Sequence, residues 1–178
     1  NRVRDLDPQW LTKAFRFHPS LYHMDEDLGR VSHLPALVSL VNDASNPDEI
    51  VTIHRTYLDG KGGKAAVSPG QAKKMMTAVV EKISGHSIKL NKGHGPVAIV
   101  TEGIENGLAW VAAHRSQYPV YAGGNCYNLA AFRWPVGTKV LIICGDHDPV
   151  NPKTGVRPGF HNAMLLKQRA VKAGLTAV

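Results

Sequence analysis

Apolar positions along this chain fall into two regimes. After position 96 they come as short unbroken runs, 97–100 and 140–144, separated by stretches with helical spacing such as 104–115. Unbroken apolar runs of this length fit strands covered on both faces. The order reads strand 97–101, helix 104–115, strand 119–122, short helix 128–132, strand 139–144, helix 158–172, and a strand opening at Leu175. Pro158 suits a first helical position, and Gly174 marks the helix end. This alternation predicts a parallel sheet with flanking helices. Before position 96 the pattern is different. The apolar run 34–41 and the β-branched run 50–58 predict a hairpin, with 42–49 as a loop of moderate length. Residues 1–32 look poorly regular: 10–15 suits one helical turn, ended by Phe17-His18-Pro19 because a residue before proline avoids the helical region. Residues 59–64 read as a flexible basic loop, 71–80 as a helical turn and 87–90 as a short strand. The expectation is a smaller mixed α+β subdomain at 1–95 followed by an α/β domain at 96–178.

Composition narrows the class. At 178 residues, with 43% hydrophobic and 20% charged, the chain is one globular domain or two small ones. A disordered tail, a collagen-like repeat and a coiled coil are excluded, and no apolar run is long enough to cross a bilayer. Cys126 and Cys144 make no disulfide framework, which points to a reducing compartment. The chain opens on Asn1 without a visible signal peptide, so it reads as a piece of a longer protein or a processed one.

The net charge of +7 is unevenly spread: −3 over residues 1–50, +6 over 51–100 and +4 over 101–178. A basic surface of this kind attracts phosphates and is the footprint expected of a nucleic-acid protein, though a merely soluble basic domain has the same balance. Arg55 lies on a predicted strand, with Lys61, Lys64, Lys73 and Lys74 after it. Lys153 and Arg157 fall beyond the last long strand. Each is a candidate phosphate contact, and each also fits a solvated basic face.

In open parallel sheets, ligands bind beyond the carboxyl ends of the strands. Glu102 follows the first strand of the second half, and Asp146 and Asp148 follow the third. They are three of the four acids in residues 101–178, the fourth being Glu105. Asp146 and Asp148, two apart in an extended segment, point to one side. Such hard oxygen ligands suit Mg²⁺ or Mn²⁺ with substrate phosphate. Glu102 would complete the site or act as general acid/base. The local alternative is that the aspartates make turn and cap hydrogen bonds and Glu102 caps the helix after it. His147, between the aspartates, should point away from them. Gly123-Gly124-Asn125 reads as a tight turn, and no histidine spacing supports zinc.

Thr101-Glu102-Gly103-Ile104-Glu105-Asn106-Gly107-Leu108-Ala109, followed by Ile142-Ile143-Cys144-Gly145-Asp146-His147-Asp148-Pro149, resembles the Toprim domain. The Glu-Gly-Ile-Glu form is most similar to primases of phages, plasmids and integrated elements. Phe15-Arg16-Phe17-His18-Pro19, Leu34-Pro35-Ala36-Leu37-Val38 and Ile53-His54-Arg55-Thr56-Tyr57-Leu58-Asp59 resemble the segment preceding Toprim in those proteins. The resemblance covers roughly residues 15–178. It implies a metal-dependent nucleotidyltransferase making short RNA primers on single-stranded DNA from ribonucleoside triphosphates, in the cytoplasm of a bacterial or infected cell, with a replicative helicase as a partner. It also implies Glu102 as general acid/base or metal ligand, Asp146 and Asp148 as ligands of Mg²⁺ or Mn²⁺, and the seven basic residues above as nucleotide or template contacts. A Toprim nuclease and a non-catalytic nucleic-acid module are the alternatives. The sequence departs from many primases in that Pro149-Val150-Asn151-Pro152-Lys153-Thr154 separates the second aspartate from Gly155, and no third acid lies near Asp148.

Overall fold

The computed structural model describes residues 6–78 and 83–178. A four-stranded antiparallel sheet is built from β1 (Phe15–Asp25), β2 (Arg30–Asp43), β3 (Asn46–Tyr57) and β4 (Lys73–Met75), in that order. A second sheet has the order β5-β7-β6-β8-β9, from β5 (Ile88–Lys89), β6 (Val97–Thr101), β7 (Val120–Ala122), β8 (Val140–Cys144) and β9 (Thr176–Ala177). Its last four strands run parallel, and β5 adds on antiparallel to β7. The helices α1 (Ile104–Ala113), α2 (Cys126–Ala131) and α3 (Pro158–Lys172) connect the parallel strands. This is the α/β architecture expected for the second half.

The unbroken apolar runs are explained by what covers them. On one face of the second sheet, Ala98, Val100, Tyr121 and Leu141 pack with Leu129 of α2, Phe132 at its end, and Leu166 and Ala170 of α3. On the other, Ile99, Val120 and Ala122 pack with Ile104 and Val111 of α1, and Val41 of β2 reaches the same cluster. Both faces of β6 are therefore dry, and burying each large side chain is worth about 1.5–3 kcal/mol. The first sheet keeps its own small core around Ala36, Tyr57 and Ala65.

Five local expectations are corrected. Residues 10–15 form no helical turn: a short 3₁₀ turn covers Pro8–Trp10, and β1 begins at Phe15. Pro19 does not end the element. It sits in a register break between His18 and Leu21, and on this edge strand a bulge absorbs the missing N–H. The hairpin loop is far shorter than 42–49, because β2 and β3 approach to the Asp43–Asn46 pair through a further register shift. Asp43 fixes the turn by accepting bonds from the Ser45 backbone N–H and hydroxyl. Residues 73–75 form strand β4, not a helical turn, because pairing to His54, Arg55 and Thr56 outweighs local helix preference. The expected turn also took in Val79 and Val80, which lie outside the described residues. Finally, the strand near 87–90 belongs to the second sheet through its bonds to β7, so that sheet draws on residues from both sides of position 96.

Candidate active site at the carboxyl ends of the parallel strands

Backbone bonds place Glu102 where the parallel strands converge. Its N–H donates to Cys144 O at 3.1 Å, and its carbonyl accepts from Gly124 N at 2.8 Å. The first residue after β6 is thus clamped between the ends of β7 and β8. Its carboxylate turns toward β8, with Oε2 3.5 Å from the Asp146 N–H. Asp146 Oδ1 accepts from Asn106 Nδ2 of α1 at 2.8 Å. Asp148 Oδ2 accepts from Gly159 N in the first turn of α3 at 2.9 Å. The capping role weighed from sequence therefore holds for Asp148 but occupies one oxygen only. Among the described residues no protein donor reaches Oδ2 of Asp146 or Oδ1 of Asp148.

Two glycines, Gly145 and Gly159, set this geometry. A Cβ on Gly145 would stand 2.6 Å from Gly159 O and 2.9 Å from the Ala163 Cβ. A Cβ on Gly159 would collide with Asp146 O and stand 3.0 Å from Asp148 Oδ2. The end of β8 and the start of α3 touch backbone to backbone, and that contact aims both aspartates. We expect Gly159→Ala to cost about 1–3 kcal/mol, the usual penalty of overpacking, and to displace the aspartate loop. Urea unfolding checks this; an unchanged midpoint would show that the contact yields freely.

The electrostatics follow from the crowding. Burial, then the charges of Asp146 and Asp148, push the Glu102 carboxyl above the usual range, against the opposing Asp146 N–H bond and Lys73. Burial raises the Cys126 thiol, and Glu102 and Asp148 raise it further, so all these groups share one neighbourhood. Among the described residues no three His, Cys, Asp or Glu side chains close into a ready metal cage. The arrangement fits instead an open site: mutually repelling carboxylates with an unclaimed oxygen on each aspartate suit a hydrated Mg²⁺, which takes one or two carboxylates and keeps its waters.

The basic candidates divide into four groups. Lys64 and Lys73 reach across from the first sheet to Glu105 of α1, at 3.1 and 3.3 Å. Burial raises the Glu105 carboxyl, but its own N–H and the two lysines outweigh that and bring it to about 2. Arg55 and Lys74, paired across β3 and β4, face the other side of that sheet, away from the acids. The Arg55 guanidinium lies 6.0 Å from the Tyr57 ring centre, and Lys74 bonds Met24 O and Glu26. Lys61 is exposed in the loop that the Asp59 carboxylate folds, and Lys153 is exposed between β8 and α3. Arg157 is beside the acids, donating to Asp148 O at 2.9 Å, with the His147 ring nitrogen 3.1 Å away. The His147 ring therefore meets the same guanidinium that bonds the Asp148 carbonyl. The turn at 123–125 carries Asn125, which caps α2 by accepting from Asn128 N.

Sequence reasoning passed over His54 and Asn106. His54 is buried on β3 with its Nδ1 unpartnered, and burial, then the nearby Lys73, lower its imidazole to about 4. Neither residue type at those positions carries a pattern that would have marked it in advance.

A parallel sheet with helices on both faces, a glutamate after one strand and an Asp-x-Asp after its neighbour define the Toprim class. Residues 97–178 match the family model described as "Toprim domain" and are a Toprim domain. Residues 2–86 match a family described as "Domain of unknown function (DUF7146)". Among solved structures the chain is similar to the primase fragment of the bacteriophage T7 primase-helicase protein. The identity is 15%, the TM-score 0.51, and the match covers 82% of this chain and 53% of that one. The chain therefore spans about half the length of that fragment and shares its fold, and it resembles the Toprim primases of phage type. No curated protein matches it.

Proposed function

We propose that this chain is the core of a metal-dependent primase, joining ribonucleoside triphosphates into short primers on single-stranded DNA. The observation that carries the reading is the meeting of Glu102 and Asp146 at adjacent strand ends, with Lys64 from the loop after β3 and Lys73 of β4 reaching to Glu105 of α1. Asp146 and Asp148, with Glu102 beside them, would hold Mg²⁺ or Mn²⁺. When bound, the metal neutralises triphosphate charge and aligns an in-line displacement. Asn106 fixes the rotamer of Asp146, and Asp148 ties the loop to α3. Glu102 in its ionised form, a stronger base than an ordinary carboxylate because burial and the aspartates raise it, accepts the proton of the 3′-hydroxyl as that oxygen bonds the α-phosphorus and pyrophosphate leaves. Arg157, Lys64 and Lys73 hold phosphates, the two lysines after exchanging Glu105 for the triphosphate. Arg55, Lys61, Lys74 and Lys153 lie farther out, where template phosphates would pass. A helicase, within the same protein or separate, would supply the single strand. Among the described residues no helix is long and apolar enough to cross a membrane.

The same acids serve a Toprim nuclease, but a first sheet lending lysines to the acid edge favours polymerisation, which has both a template and a triphosphate to hold. One assay decides. With single-stranded DNA, labelled ribonucleotides and Mg²⁺ or Mn²⁺, the primase reading expects oligomer synthesis. Strand cleavage would make it a nuclease, and neither product would leave a binding module. Arg55→Ala is expected to weaken single-stranded DNA binding and lower the salt slope by about 0.7, one phosphate contact, without unfolding the protein. An unchanged slope in a salt titration removes Arg55 from the template path.

A further inference from the structure

The face of the first sheet that points away from the acids carries a cavity of its own. The β1–β2 ladder sets Leu21 against Leu34, His23 against Ser32 and Asp25 against Arg30. Alternation puts these pairs on the same face as Ala36, Arg55 and Lys74. Residues of the loop after β3 close over that face and leave a cavity of about 180 Å³, lined by His23, Asp25, Leu28, Arg30, Leu34 and Val67, among others. Leu34 and Val67 are its apolar walls, packed on the small core of this sheet. Leu28, 67% exposed, and the exposed Arg30 stand at its mouth, whereas His23 and Asp25 are 1% and 3% exposed. The His23 Nε2 donates to Gln71 O at 3.0 Å, and its ring lies edge-on to Tyr57. Asp25 Oδ1 accepts from Leu28 N at 3.3 Å, and Oδ2 from Ser68 N at 2.9 Å. Those bonds fix the turn and the loop, but a carboxylate oxygen accepts twice, so each keeps one position. Arg30 stands opposite Asp25 in the ladder, yet among the described residues its guanidinium makes no ion pair or hydrogen bond.

We infer that this cavity takes one unstacked guanine base of the single-stranded template, an inference that rests on the primase reading above. The cavity is smaller than the about 300–1,000 Å³ of pockets that hold whole ligands, so it admits a base and leaves sugar and phosphate outside. Apolar walls suit the two faces of a flat ring. Acceptor positions side by side, one on each Asp25 oxygen, call for two adjacent donors. Among the DNA bases only guanine carries adjacent donors on its pairing edge, N1–H and the N2 amino group. Its O6 lies next to N1–H, where the Arg30 guanidinium donates. Adenine, cytosine and thymine each set an acceptor beside their donor, and that acceptor would face a carboxylate oxygen. A buried polar group left unpaired in this way makes a site selective. RNA-reading proteins recognise single strands by the same device, a splayed base bonded along its pairing edge. Phosphates on either side of the base pass Arg55 and Lys74, and Lys74 pairs with Glu26, the acid next to Asp25, at 2.7 Å. The cavity would thus fix which template base lies at a set distance from the acids.

Fluorescence anisotropy of labelled strands, without metal or triphosphates, tests this. Oligothymidylate is compared with the same strand carrying one central guanine. The guanine strand is expected to bind about 5- to 150-fold more tightly, equivalent to the about 1–3 kcal/mol of one bidentate base contact. Hypoxanthine at that position lacks the N2 amino group and should lose most of the gain. 7-Deazaguanine keeps the pairing edge and should retain it. Both probes leave the protein untouched, so no folding defect can imitate the result. Arg30→Ala, at an exposed side chain, should remove most of the preference for guanine over thymine. GMP titrated alone should bind far more weakly than the strand, because it lacks the neighbouring phosphates. Tight GMP binding with no preference among strands would make this a free-nucleotide site and overturn the template assignment. Equal affinity for all strands, or hypoxanthine binding as well as guanine, also overturns it. A guanine preference in a chain that makes no primers would leave the cavity assigned and sink the primase reading instead.

Discussion

Asp146→Asn is expected to lower primer synthesis by about 10²–10³-fold, the magnitude that follows loss of one preorganised electrostatic partner. Asparagine keeps the shape of the side chain and can still bond Asn106, so the fold should survive. What disappears is the charge that faces the metal position. The same change removes the largest like charge acting on Glu102, whose carboxyl is raised by burial first and by Asp146 next. The acid limb of the residual activity should therefore move to lower pH. Glu102→Gln should also abolish synthesis, while relieving carboxylate crowding in the metal-free protein. Steady-state primer synthesis across pH, with circular dichroism as a folding control, measures all of this. Full activity in both variants would remove these acids from the chemistry.

Stability is expected to fall by on the order of 3 kcal/mol as pH drops from about 6.5 to about 4, because His54 is buried neutral. The imidazole is 5% exposed, its Nδ1 has no partner, and burial and the nearby Lys73 hold it at about 4 against an ordinary 6.5. Between those values the unfolded chain binds a proton that the folded chain refuses, so acid favours unfolding. Glu105 works in the opposite part of the scale. Its carboxyl is depressed to about 2, so its contribution is present above about 4.5 and lost as pH falls toward 2. That contribution is small, about 0–1 kcal/mol, because the pairs with Lys64 and Lys73 are solvent-exposed. Urea denaturation across pH separates the two windows. His54→Leu should flatten the upper one and leave the lower. If the slope between pH 6.5 and 4 persists in the variant, another group is responsible.

These two expectations draw on different kinds of information. That Glu102, Asp146 and Asp148 stand past the ends of neighbouring strands was legible in the sequence, because the runs 97–100 and 140–144 are apolar and the acids follow within a few residues. The position of a residue just past a parallel strand carries its spatial meaning with it. His54 carried no such mark. It is a polar residue in an alternating strand, and only the packing of β3 against the side of the molecule that holds Lys73 and Glu105 shows that it is dry. The basic residues divided for the same reason. Lys73 and Lys74 are neighbours in sequence, yet pairing in β4 sends one toward Glu105 and the other toward Glu26.

By itself the sequence determined the parallel half of the protein, its three helices and the strand ends on which the acids ride. Hydrophobic periodicity is a local property, written residue by residue and set by the fixed repeats of strand and helix. Only the tertiary structure decided that Pro19 lies in a bulge rather than at an end, that residues 73–75 pair as a strand, that β5 joins the second sheet, and that Gly145 meets Gly159. Each of those depends on a contact between segments distant along the chain. There the gain from closing a ladder or filling a core outweighs what the neighbouring residues prefer.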